Sequence, residues 1–147
     1  MGYIKHALDI KTIEAAIFRS NEVGVLEGSH RKEAANLVGS IGEIVFKSCM
    51  EQHDVTVQDL TDRTDMDFRL NGRFTVDVKT KDRTVFPKAD YDNSIPLYNH
   101  EHQRPDYFFF ISLVRDSKAD VNDPYRFTHA CLVGGIEQAG LDEHGQV

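Results

Sequence analysis

Between positions 64 and 82 the chain reads TDMDFRLNGRFTVDVKTKD, and Met66, Phe68, Leu70, Phe74, Val76 and Val78 all fall on even numbers. Asp65, Asp67, Asp77 and Lys79 fall on odd ones. A period of two is the pattern of strands half-buried against a core. It constrains the fold strongly, because a one-residue slip in pairing sends every side chain to the opposite face. Asn71-Gly72 marks the reversal between two strands. A two-residue loop would set Phe68 against Thr75 and so mix apolar with polar positions. A three-residue loop over 70–72, with Gly72 left-handed in a bulge, restores agreement. Arg69 then faces Arg73, Asp67 faces Thr75, and Asp65 faces Asp77. The expectation is a hairpin with one apolar face and one face that gathers three carboxylates and an ammonium. Like charges on neighbouring strands repel. Such a face either lies open to solvent, as on any half-buried hairpin, or holds a cation between its carboxylates.

Around this hairpin the periodicity predicts a first helix over 8–20, capped by Asp9, with Ile10, Ile13, Ile17 and Leu8 or Phe18 inward. The glycines of NEVGVLEGSH break it. A second helix runs from about Arg31 to His53, with Ala34, Leu37, Val38, Ile41, Ile44, Val45 and Cys49 on its apolar side. Gly39 and Gly42 lie inside it, each costing about 1 kcal/mol relative to alanine, which points to close approach of the helix to a sheet. Residues 54–61 read as a loop entering a strand, and 82–105 as a long irregular connection. DYFFFISLV (106–114) is a strand buried on both faces. YRFTHACLV (125–133) is another strand, and GGIEQAGL starts a short helix. The closing LDEHGQV has no clear element of its own. This order of elements predicts an α/β (α+β) domain with helices on a mixed central sheet.

At 147 residues the chain fits a single domain. Its net charge of −7 argues against a protein that coats nucleic acid unspecifically, but not against local binding, since an acid cluster is partly neutralised once it holds a metal. No apolar run reaches the ~20 residues that span a bilayer, so no membrane association is expected. The acid-bearing start MGYIKHALDIKTIE does not read as a secretory signal. Cys49 and Cys131 define neither a zinc site nor a disulfide framework, which suits a cytoplasmic protein. His100 and His102, in HEH, could pair on a metal, but histidines on an irregular loop more often face solvent or substrate.

GSIGEIVF with Glu43, then Asp67 in the hairpin, then Asp77-Val78-Lys79 ten positions on, form an ordered set. The set resembles the PD-(D/E)xK nuclease superfamily, with its restriction-endonuclease-like core. There a helix carries a glutamate, an aspartate opens one strand, and D/E-x-K follows on the next. Met66 stands where many members have proline. The resemblance covers roughly 31–140, with 1–28 as an N-terminal helical segment of the same domain. It implies a metal-dependent DNA endonuclease. Asp67, Asp77 and the Val78 carbonyl would bind Mg²⁺ or Mn²⁺, and Glu43 would reach the site from its helix. Lys79 would orient or deprotonate the attacking water. Gly39 and Gly42 would let the helix come close. Asp65 is an extra acid, either near the site or solvated at the strand edge. Lys81, Arg83 and Lys88 are candidates to hold DNA phosphates, or else a solvated loop. The resemblance further implies a homodimer with one active site per strand, no organic cofactor, and relatives common in phages and mobile elements. The alternative is a nucleic-acid-binding or assembly module that keeps the fold without cleavage. Such modules usually lose the lysine or an acid, and here all four residues are present.

Overall fold

In the computed structural model, which describes residues 4–27, 30–60, 67–86 and 105–137, the chain begins with a strand and not a helix. Strand β1 (Ile4–Ala7) precedes α1 (Ile10–Glu27) and α2 (His30–Gln52). Then come β2 (Val57–Asp59), β3 (Phe68–Leu70), β4 (Phe74–Arg83) and β5 (Tyr107–Arg115). A single 3-10 turn, η1 (Pro124–Arg126), leads into β6 (Phe127–Glu137). The six strands form one mixed sheet in the order β1-β6-β5-β4-β3-β2. Among the described residues only β4 and β5 run parallel, and the other neighbouring pairs are antiparallel. The architecture is therefore mixed α/β, as expected. β1 had no signal of its own: all four residues are exposed, and pairing with β6 alone makes it a strand.

Asp9 starts α1 as expected, its Oδ1 accepting from Thr12 N–H at 2.8 Å. The buried face of α1 is largely the expected one: Ile13 is buried with Ala16 and Ser20, and Ile17 and Leu8 pack against the core, whereas Ile10 and Phe18 are exposed. The helix also runs through the predicted break to Glu27, so Gly24 is tolerated inside it. On α2 the expected stripe is largely present: Leu37, Ile41, Val45 and Phe46 are buried. They pack on Phe68, Val76, Val78, Ile111, Leu113, Ala130 and Leu132 from the sheet to form the main core. Asp54 ends the α2 region in a left-handed conformation, with φ 61°.

The hairpin keeps the predicted parity but not the predicted register. Phe68 faces Val76, Arg69 faces Thr75, and Leu70 faces Phe74. The loop is three residues long but covers 71–73, one step later than expected. Both Asn71 (φ 51°) and Gly72 (φ 67°) are left-handed. Its position follows from an anchor outside the hairpin: Asn71 N–H donates to Thr56 O, and Asn71 Oδ1 accepts from Thr56 N–H. A register shift of two residues preserves the faces, so the apolar set still points at the helices. It also sets Asp67, not Asp65, beside Asp77; Asp65 itself lies outside the described residues.

Where a short helix was expected to start, residues 134–137 are strand, and the rest of that segment lies outside the described residues. Phe110 pairs with Gly134 and Phe109 with Gly135, so β6 extends to Glu137 across an irregularity beside Ile111. Gly134 adopts φ 141°, which a side chain would oppose, so the glycine pair serves a bend in the sheet and not a helix start. Phe108 and Phe110 form a second small core with Val133 and Ile136 on the face away from the helices.

Candidate active site

Alternation along β4 sends Val76, Val78 and Thr80 to the helix side, and Asp77, Lys79, Lys81 and Arg83 to the other. The edges alternate too. Thr75 N–H turns toward β5 and donates to the Asp106 carboxylate at 2.9 Å. Val76 O turns toward β3 and accepts from Asp67 N–H. Val78 therefore also directs its N–H and C=O toward β3. Among the described residues the pairing with β3 starts at Phe68–Val76, and Val78 N–H donates to the Asp67 side chain, at 2.9 Å from Oδ2. Asp67 is clamped on its other side, since its carbonyl accepts from Leu60 N–H at 2.8 Å.

Asp67 lies next to both Glu43, whose charge acts on it, and Asp77, on which its own charge acts. Asp77 is 2% exposed. Lys79 Nζ lies 2.7 Å from Asp77 Oδ2. That oxygen nonetheless has no aligned hydrogen bond: the ammonium supplies counter-charge from off the lone-pair directions. The Lys79 ammonium also sits 5.9 Å from the centre of the Phe108 ring.

The electrostatics follow from burial. Loss of water, then the charge of Glu43, pushes the Asp67 carboxyl up to about 7. Loss of water and the charge of Asp67 likewise push Asp77 up to about 7, against the opposing pull of Lys79. Glu43 is raised by burial and held back chiefly by the Arg19 guanidinium. Desolvation of this kind, in a cleft with like charges, is common at functional sites.

Gly42 brings α2 into place. A Cβ there would fall 1.9 Å from Thr80 Oγ1 and 3.0 Å from both other Thr80 side-chain carbons, so only glycine lets the helix lie on β4 here. Gly39 has open space and no such role, contrary to the expectation that paired them. Glu43 follows Gly42 directly, so the close approach and the acid are consecutive features of one helical turn.

Two site neighbours were not anticipated. Arg19 of α1 contacts Glu43 Oε1 at 3.2 Å and Asp59 Oδ2, at the end of β2, at 3.6 Å. The available signal was position: Arg19 flanks the stripe formed by Ile13, Ala16 and Ser20. Of the proposed phosphate contacts, Lys81 and Arg83 share the Asp77 face, and Arg83 Nε donates to buried Ser112 Oγ at 3.2 Å. Lys88, His100 and His102 lie outside the described residues.

The candidate donors Asp67, Asp77, Glu43 and the Val78 carbonyl are all oxygens, which suits a hard divalent cation such as Mg²⁺ or Mn²⁺. A buried, unaligned carboxylate oxygen on Asp77 is consistent with that fit. Among the described residues no three His, Cys, Asp or Glu side chains already converge as a ligand cage. Among the described residues no helix is long and apolar enough to cross a membrane. Both cysteines are free.

No protein-family model, curated protein or solved structure matches this chain.

Proposed function

We propose that this protein is a metal-dependent DNA endonuclease of the PD-(D/E)xK type, with a restriction-endonuclease-like core. One observation carries the reading. Glu43 of α2, Asp67 just before β3, and Asp77 and Lys79 of β4 come together, in the chain order that the resemblance requires.

When bound, Mg²⁺ or Mn²⁺ would polarise the phosphate and lower the pKa of a water. Asp67 and Asp77, with the Val78 carbonyl, are the groups that would hold it, and Glu43 adds a carboxylate from the helix side. Val78 N–H fixes one Asp67 oxygen, so the other is the freer donor. Lys79 has two roles within reach: balancing the negative charge of Asp77, and orienting a water or a phosphate oxygen once Asp77 turns to the cation. The Lys79 side chain is 17% exposed, so its charge is partly shielded from solvent. Lys81 and Arg83 extend the same face beyond Lys79 and would contact the DNA backbone. A homodimer, one site per strand, is the proposed working form.

The test is cleavage of supercoiled plasmid, a four-way junction and single-stranded DNA, each with Mg²⁺, Mn²⁺ or chelator. Cleavage that needs metal and disappears in Asp77→Asn supports the reading. DNA binding without cleavage under every condition would instead favour a silent binding module.

A further inference from the structure

We propose that Arg19 is a positioning residue of this site, acting through Glu43, and that α1 therefore belongs to the active centre. The inference rests on the metal-site reading above. Glu43 is a half-buried carboxylate beside Asp67, its side chain 19% exposed. Like charge there favours a Glu43 that turns away, and Arg19 opposes this. Its two terminal nitrogens reach different carboxylates, Nη2 to Glu43 Oε1 at 3.2 Å and Nη1 to Asp59 Oδ2 at 3.6 Å.

Because the guanidinium is a rigid planar fork, Asp59 on one prong fixes the direction of the other. The clasp thus ties α1, α2 and β2 together at one side chain. The contact occupies Oε1, so Glu43 keeps its second oxygen for Asp67 or for a cation. Only 24% of the Arg19 side chain is exposed, so the pair is better shielded from solvent than a surface ion pair. A point charge at the same place would neutralise Glu43 without aiming it, so charge and geometry are separable by substitution.

Mn²⁺ alone is titrated calorimetrically into the metal-free full chain and into Arg19→Met, Arg19→Lys, Glu43→Gln and the Arg19→Met/Glu43→Gln double variant. Melting of each metal-free protein at pH 8 is recorded alongside. Arg19→Met is expected to weaken Mn²⁺ binding about tenfold, the scale of a lost supporting contact at a metal site. The double variant should bind no more weakly than Glu43→Gln alone, because a residue that acts through another has no effect once that other is gone. Arg19→Lys should recover little. In the metal-free melts, Arg19→Met should cost the parent more than it costs Glu43→Gln.

Tighter Mn²⁺ binding in Arg19→Met, equal changes in both backgrounds, or full rescue by Arg19→Lys would each overturn the proposal, since each describes a cation that acts by charge alone. A parent that binds no Mn²⁺ defeats the metal reading instead. The melts then still judge the clasp: equal losses in both backgrounds would refute the positioning of Glu43, and unequal losses would uphold it.

Discussion

Replacing Asp77 with asparagine should make the metal-free protein more stable above neutral pH. Asp77 is 2% exposed, and its carboxyl is pushed from the usual 3.8 up to about 7. Its folded-state pKa exceeds the unfolded one, so between these values the folded protein holds a proton that the unfolded chain has released. Stability linked to this group is complete below about pH 4 and is lost as pH rises through about 7. One pH unit corresponds to ~1.4 kcal/mol for each extra proton held, so the roughly three-unit gap amounts to about 4 kcal/mol. Asp67 and Asp77 are in contact and titrate as a pair, which is why one proton is counted and not two. Asparagine cannot ionise and so removes the loss. The pull of Lys79 is already contained in that raised pKa; an amide in place of the protonated acid costs about 2 kcal/mol at every pH, which reduces the gain to about 2 kcal/mol at pH 8. For a domain of this size that is ~4–8 °C in Tm. Melting of both proteins from pH 4 to 8 in chelator measures it. Near pH 4 the mutant should melt below the parent by a similar ~4–8 °C; by pH 8 the parent should have fallen below the mutant. The capping acid Asp9, whose pKa is lowered, changes stability only below about pH 4 and leaves this window clear. A mutant that melts below the parent at pH 8, or a parent whose stability does not decline between pH 5 and 8, would refute the reasoning.

Lys79→Met should leave metal binding largely intact while cleavage falls at least ~10²-fold, the scale of a positioned acid–base group; equal rates in single-turnover assays would reduce Lys79 to a counter-ion. Gly42→Ala should cost about 1–3 kcal/mol by overpacking against Thr80. Thr80→Ala should recover part of that loss in urea unfolding, whereas Gly39→Ala, with open space around it, should stabilise by up to ~1 kcal/mol. Asp67→Ala should be less stable than Asp67→Asn by about 1–3 kcal/mol, because only the amide keeps an acceptor for Val78 N–H; matching urea midpoints would show that this N–H finds another partner.

Parity was the information the sequence carried by itself. The even-numbered apolar run from Phe68 to Val78 required Asp67 and Asp77 to share a face, and any register that kept the core closed had to respect it. The α2 stripe was equally legible, because a helix with one buried side shows it in its spacing. Alternation does not separate registers that differ by two residues, however, so Asp67 rather than Asp65 came to lie beside Asp77. That choice was made by Asn71 bonding to Thr56, fifteen residues away. β1 exists only because β6 offers it a partner, and Gly134-Gly135 stays extended because β5 holds it. The same holds for Arg19. Its place on a helix flank was readable, but its grip on Glu43 and Asp59 depends on three elements meeting, and no local pattern encodes a distance between elements. Short-range periodicity sets which face a residue occupies; contacts between distant segments set what it faces there.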